Sequence, residues 1–303
     1  MIAVLAAPTN LGLKPPEPTS VPGCAKAPEA LREAGLHRRL LGAGATDAGV
    51  VLPGRYVDHV VPGRLRNHDA LLDHAHRLAD RLDSLLADGL TPLVLGGDCS
   101  LLVGAGLGLA RRGGRHGLVH IDGHTDFRHP GNSDACASLA GEDLAAAVGR
   151  HWPDASDPEG RGPSFAAPDV AHIGCRDDDE DLPEVRSLLG AVVPASHVIR
   201  DGAQAAEAAR AVADAPGVEG YWLHLDVDVL DPAHVSAVDS PDPGGLDPEQ
   251  LTELLTALAP RAVGAQVTVF DPDLDPGGEQ ARLLADVLVA GLGALGSCVP
   301  PRG

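Results

Sequence analysis

Aromatic side chains are nearly absent: Trp, Tyr and Phe together make up 2% of the 303 residues. With 44% hydrophobic residues the chain still has material for a substantial core. That core must be built from Ala, Val and Leu, which suits tight packing of helices on a sheet. Basic charge is also scarce, with 23 Lys and Arg against 43 Asp and Glu and a formal net charge of -20. This deficit argues against nucleic acid, whose binding depends on cations neutralising phosphates, and against anionic membranes. Bound divalent cations would offset a few of the negative charges. The five cysteines, Cys24, Cys99, Cys136, Cys175 and Cys298, are odd in number, scattered, and form no C-x-x-C. They fit a reducing, cytoplasmic setting better than a disulfide framework. No apolar run approaches the length of a membrane span. Met1 to Pro8 is apolar but short and lacks a basic segment, so it reads as a first strand rather than a signal peptide.

Strand and helix patterns alternate along the chain. Strands are expected at Ile2 to Ala7, Tyr56 to Val61, Pro92 to Leu95, Leu118 to Asp122, Val170 to Gly174, His197 to Ile199, Tyr221 to Asp226 and Val263 to Phe270. Pro28 opens a first helix that continues through Ala30 to Leu41, and Asn67 caps a long amphipathic one ending near Ala87. Further helices are expected at Leu101 to Arg111, Leu139 to Val148, Leu182 to Leu189, Ala203 to Ala213, Pro248 to Leu258 (capped by Asp247) and Glu279 to Leu295. This alternation implies an α/β fold with a mainly parallel sheet covered on both faces. No internal repeat and no linker divides the chain, so residues 1–303 read as one domain. Ligands of such sheets bind beyond the carboxyl ends of the strands.

Three motifs sit at such ends. His120-Ile121-Asp122-Gly123-His124-Thr125-Asp126 follows one apolar strand. His224-Leu225-Asp226-Val227-Asp228 follows another, with an extended backbone expected to put both carboxylates on one face. Gly96-Gly97-Asp98-Cys99-Ser100 follows a third. Carboxylates this close repel one another, and a divalent cation favours their ionised forms. The bland alternative for each motif alone is a solvated acidic turn. Together they offer Cys99, Asp122, His124, Asp126, Asp226 and Asp228, too many ligands for one tetrahedral ion and a suitable number for two ions sharing carboxylates.

At these residues the sequence resembles the ureohydrolase superfamily of arginases, agmatinases and formiminoglutamases. The family's G-G-D-H-S, D-A-H-x-D and D-x-D-x-x-D-P read here as GGDCS, DGHTD and DVDVLDP. Gly174 to Asp179 is similar to the family's G-x-R-D-x-D, and Ser240 to Leu246 to its T-P-x-x-G-G-L. The resemblance implies a three-layer α/β/α sandwich and a hydrolase acting on a non-peptide C–N bond of a linear amidine or guanidino compound. It also implies two divalent ions, Mn2+ by resemblance, with Asp122 and Asp226 shared. Cys99 and Asp126 would complete one ion site, and His124 and Asp228 the other. A bridging hydroxide would be the nucleophile. Asp231 would support the site, and Asp179 and Ser240 would contact the substrate; Asp271, outside the matched motifs, is a further candidate for substrate contact. A homo-oligomer, trimeric or hexameric, is the family's usual assembly.

Three departures from the family pattern matter. Cys99 stands where the family has a ligand histidine. A thiol beside two cations should ionise, and thiolate suits Zn2+. Some relatives keep cysteine here, including an N-hydroxyarginine hydrolase. The histidine of the arginase segment S-G-N-x-H-G is missing, and in this region Glu142 or His129 is the candidate substitute, beside the catalytic candidates His124 and Asp126. The guanidinium-binding glutamate of E-V-N-P aligns with Val269, with Asp271 and Asp273 nearby. The competing readings are an N-hydroxyarginine or formimino hydrolase, a single-zinc deacetylase of related architecture, and a metal-binding protein without turnover.

Overall fold

The computed structural model describes residues 1–299; the last four residues of the 1–303 domain span lie outside them. Its strands are β1 (Ile2–Ala7), β2 (Thr46–Val50), β3 (Thr91–Gly96), β4 (Gly117–Ile121), β5 (Val170–Ile173), β6 (Ala191–Val193), β7 (Tyr221–Asp226) and β8 (Ala262–Thr268). All eight form one parallel sheet in the order β2-β1-β3-β8-β7-β4-β5-β6. The inner strands β1, β3, β4, β7 and β8 are buried almost end to end. They have to be nearly continuous apolar runs, because helices cover both faces.

The helices are α1 (Ala27–Glu33), α2 (Leu36–Gly42), α3 (His68–Ala87), α4 (Leu101–Arg112), α5 (Asp143–Ala147), α6 (Pro153–Ser156), α7 (Leu182–Leu188), α8 (Ala195–Arg200), α9 (Gly202–Ala213), α10 (Pro248–Leu258) and α11 (Glu279–Leu292). One layer packs α1, α2, α9, α10 and α11 against strand residues such as Val119, Ile121, Leu223 and Leu225. The other packs α3, α4 and α5 against alternate residues, among them Val94, Leu118 and Trp222. This is the expected α/β/α sandwich. In α3 the buried positions Leu71, Ala75, Leu78, Leu82 and Leu85 form one stripe. Each buried leucine there contributes about 1.5–3 kcal/mol relative to exposure. Asp247 closes a full capping box with Gln250 at the start of α10, as its position before Pro248 suggests.

Several expected elements are corrected. Residues 51–61 form no strand; the strand of this region is β2, further upstream. His197 to Ile199 lies inside α8, and the neighbouring strand is β6. The first helix breaks at Gly35, whose φ of 93° no continuing helix can accept. The segment 139–148 divides into a 3-10 turn at Leu139–Gly141 and the short α5. Asn67 precedes α3 with a left-handed backbone and makes no cap bond; its side chain instead accepts from Val57 N and donates to Leu11 O. That amide ties the 51–66 loop to the loop after β1.

The strand order reverses direction of winding around β3, β8, β7 and β4, which lie side by side at the centre. Their carboxyl ends open on one edge of the sheet, the switch point where open α/β folds bind ligands.

Candidate metal centre

The loop after β3 passes very close to the loop after β1. A Cβ at Gly97 would stand 1.6 Å from Thr9 O, so only glycine fits. Asp98 is fully buried and accepts from Gly12 N at 3.1 Å and Ser100 N at 2.9 Å. These bonds lock the turn and aim Cys99 inward. Its Sγ donates to Asp226 Oδ2 at 2.9 Å and lies 3.1 Å from Thr268 Oγ1 at the end of β8.

After β4, Asp122 Oδ1 accepts from His124 N at 2.7 Å, while its buried Oδ2 has no partner. Asp126 follows with φ of 45°, a left-handed backbone that aspartate tolerates better than most residues. Asp179 braces this loop, taking Thr125 N at 2.8 Å and Thr125 Oγ1 at 2.7 Å. After β7 the chain turns at once into a 3-10 turn over Val227–Val229, so Asp226 and Asp228 are brought together by the turn and not by strand alternation. Asp226 Oδ1 accepts from Asp228 N at 2.8 Å. Asp228 reaches back to the β4 loop, accepting from Gly123 N at 3.0 Å and facing His124 Nδ1 at 2.9 Å.

All six expected ligands therefore converge. Asp122, His124 and Asp126 offer ligand atoms within 4.8 Å of one another, and so do Asp122, Asp226 and Asp228. A third group of the same size joins Cys99 and Asp122 to His224. Asp122 belongs to all three.

The charges are poorly balanced without cations. Burial, and then the neighbouring carboxylates, push Asp122, Asp126 and Asp226 well above the usual carboxylate range. Burial and the same acids raise the Cys99 thiol, which keeps its proton for Asp226. Burial also works against ionisation of Asp228 and His124. Their mutual contact outweighs it, holding Asp228 below its ordinary value and pushing His124 up to about 10. One imidazolium among this many carboxylates leaves Asp122 Oδ2 unpartnered, and oxygen, nitrogen and sulfur donors at these spacings fit divalent cations.

The centre lies at the foot of a cavity of about 380 Å³ lined by Asp126, His124, Asp226 and Asp228. Of the expected substrate residues, Asp179 and Ser240 line this cavity. Asp271 does not: it turns away, accepting from Gly23 N at 2.9 Å and Asp273 N at 2.9 Å. Glu142 is likewise corrected. It is completely buried, with Oε1 taking Ala137 N at 2.9 Å and Ser138 N at 3.1 Å and Oε2 facing His151 Nε2 at 2.9 Å, so it fastens a loop away from the cavity. His129 pairs with Glu184 at 3.1 Å, and Asp231 is spent on Ala233 N and Gly244 N. Val269 does line the cavity, with a φ of 76° that is rare for a β-branched residue.

Sequence reasoning passed over two features. Arg128, two residues beyond Asp126, lines the cavity and makes no hydrogen bond or ion pair among the described residues. Arg176, the other arginine there, spends its guanidinium on backbone carbonyls, including Asp228 O at 3.0 Å and Pro243 O at 3.2 Å. A basic residue so close to DGHTD was a usable signal. Asp143, fully buried beneath the centre with both carboxylate oxygens unpartnered, carried none.

Comparison with known proteins agrees with the fold and the motifs. The Arginase family model matches residues 1–293. The chain is similar to an arginase of Agrobacterium fabrum (strain C58), 30% identical over 299 residues, covering 94% of this chain and 88% of that one. It is similar to an arginase of Brevibacillus brevis, 29% identical over 272 residues and covering 86% and 89%. Among solved structures, the native arginase of Bacillus caldovelox superposes with a TM-score of 0.84 at 28% identity, covering 96% of this chain and 97% of that one. With the family model spanning nearly the whole chain and the motif residues gathered at one sheet edge, the chain belongs to the arginase family of ureohydrolases.

Proposed function

We propose that the chain is a two-cation hydrolase that cleaves a C–N bond in a linear amidine-type substrate carrying a carboxylate at its far end. The observation that carries this reading is Asp122, shared by the three ligand groups that the strand-end motifs bring together and left with a buried, unpartnered oxygen. Asp122 and Asp226 would be held in common, Cys99 and Asp126 would serve one cation, and His124 and Asp228 the other. When bound, the cations would activate water as the nucleophile and stabilise charge developing at the attacked carbon.

The chain's own residues then bind, orient and move protons. Asp126 faces the cavity and is the carboxylate placed to take a proton. Asp178, Asp179, Glu180 and Asp181 form an acidic wall that attracts a substrate amine, and the unspent guanidinium of Arg128 in the same cavity suits a carboxylate. Val269 offers an apolar surface where the family resemblance puts a glutamate. A permanently charged guanidinium placed beside two cations without that carboxylate costs several kcal/mol. The reading therefore favours a less basic reacting group, such as an N-hydroxyguanidine or formimino group, over the guanidinium of arginine.

Stripped protein reloaded with Mn2+ or Zn2+ and assayed for urea, ammonia or amine release on such compounds tests this. Turnover at two ions per chain is expected, with kcat/KM for N-hydroxy-L-arginine or N-formimino-L-glutamate above that for L-arginine. Fully loaded protein that releases nothing from any of them, or that prefers arginine, would sink the reading.

A further inference from the structure

We infer that a hydrogen-bond relay across four adjacent strands fixes the proton of His224 on Nε2 and turns it, together with His120, onto the unpartnered oxygen of Asp122, making both histidines positioning residues for the metal centre. The inference rests on the reading of Asp122 as the ligand that both cations share.

The relay follows from register. His172, His120, His224 and Gln266 stand side by side on β5, β4, β7 and β8 and are all fully buried. They lie on the sheet face shared with Trp222, whose indole nitrogen can only donate. Trp222 Nε1 donates to Gln266 Oε1 at 3.0 Å, which decides which way the amide points. Gln266 Nε2 then faces His224 Nδ1 at 2.8 Å and must donate to it. Nδ1 is thereby an acceptor, and a neutral ring carries its hydrogen on Nε2. An imidazolium has no acceptor nitrogen, so this bond itself requires a neutral ring.

His224 Nε2 has no hydrogen-bond partner and lies 4.0 Å from Asp122 Oδ2, which has none either. His120 stacks flat on His224, with centroids 4.4 Å apart and planes 6° from parallel. Its Nδ1 lies 3.0 Å from His172 Nδ1, and one of the two donates. Its Nε2 faces only carboxylates, Asp143 Oδ1 at 3.5 Å and Asp122 Oδ2 at 3.9 Å. A hydrogen on His120 Nε2 suits both acids, so His172 is the donor in that pair. Two N–H groups thus converge on the outer oxygen of Asp122, and a shift of about 1 Å brings each to hydrogen-bond distance.

The alternative is a cation on His224 itself, which has ligand spacing both with His120 and Asp143 and with Cys99 and Asp122. The Trp222–Gln266 chain speaks against it. A cation there needs a bare nitrogen on His224, and one nitrogen already accepts while the other carries the proton. Donors behind a ligating carboxylate are what keep it oriented, and their loss typically lowers metal affinity 10–100-fold.

The first measurement is the tautomer, read from 15N chemical shifts of labelled histidine in metal-free protein. His224 with a bare Nδ1 and a protonated Nε2 is expected; the opposite tautomer overturns the inference. The second is metal affinity by chelator competition with Zn2+ and Mn2+. Gln266→Met and His224→Phe should each keep the wild-type number of ions and lose about 10–100-fold in affinity, and the double variant should lose no more than His224→Phe alone. Trp222→Phe, which removes only the indole donor, serves if Gln266→Met does not fold. Unchanged affinity, additive losses, or an extra equivalent of metal that vanishes in Asp143→Asn would each overturn it. Wild-type protein that takes up no pair of ions would sink the functional reading, while the tautomer, measured without metal, judges the relay separately.

Discussion

Cys99 shows how one side chain sets the character of the centre. In the metal-free chain its thiol is neutral and hydrogen-bonded to Asp226. A cation at that spot has to displace the proton, so binding at this position releases one proton more than binding to an already ionised acid. The resulting thiolate is softer than the histidine of the family pattern and favours Zn2+. Cys99→His is expected to move the Zn2+ to Mn2+ affinity ratio toward Mn2+ by about tenfold or more, equivalent to about 1.4 kcal/mol. Competition titrations of both proteins check this, and equal ratios would remove Cys99 from the ligand set. The six candidate ligands were legible in the sequence because each sits within a dense motif behind an apolar strand. Glu142 was misjudged because a carboxylate's use depends on the donors around it, here Ala137 N, Ser138 N and His151, which spacing does not reveal. The His172–His120–His224–Gln266 row was illegible for a related reason: it exists only once β5, β4, β7 and β8 are set in register.

Among the elements, the long apolar strands and periodic helices follow their patterns closely, and the errors fall where local and tertiary demands differ. Tyr56 to Val61 alternates like a strand, yet Asn67 and Arg66 hold that stretch as a loop, through Val57 N and Asp58. Helix α3 takes part in the same fastening. His74, buried on its inner face, donates from Nε2 to Val51 O at 3.0 Å. Burial lowers its pKa to about 4, only partly offset by that bond. An unfolded histidine titrates near 6.5, so the folded chain resists protonation more than the unfolded one does. The stability this contributes is complete above about pH 6.5 and is lost as the pH falls toward about 4, up to about 3 kcal/mol in all. His74→Gln keeps a donor to Val51 O and removes the titration. Urea denaturation at pH 7 and at pH 4.5 is therefore expected to show a smaller acid loss for the variant than for the wild type. Equal losses would mean that His74 is not a source of acid sensitivity.

At the scale of the whole molecule, one parallel sheet carries the site, and we read the chain as one domain. The described helices include none long and apolar enough to cross a membrane. The net charge of -20 is spread widely, but the cavity concentrates it: the acidic wall faces in, and Arg128 is its unspent cation. Such a cavity draws in positively charged compounds. Attraction alone does not distinguish a simple amine from an amino acid, because both carry an ammonium group. Arg128 does distinguish them, since its half-buried guanidinium has no hydrogen-bond partner among the described residues and gains a charge-assisted bond from a carboxylate but not from an ammonium. Such a bond contributes about 1.5–3 kcal/mol, or about 10–100-fold in affinity. Arg128→Met, which keeps the length of the stem and removes the charge, should raise KM about 10–100-fold for the carboxylate-bearing substrate and change kcat little. The decarboxylated analogue, an amine with the same reacting group, should bind the variant no worse than it binds the wild type, because repulsion between its ammonium and Arg128 is gone. The ratio of kcat/KM values for the two compounds, measured in both proteins at full metal loading, isolates the carboxylate from every other contact. A ratio that does not change on removing Arg128, or a wild type that favours the amine, would show that the substrate's far end is read by the acidic wall alone.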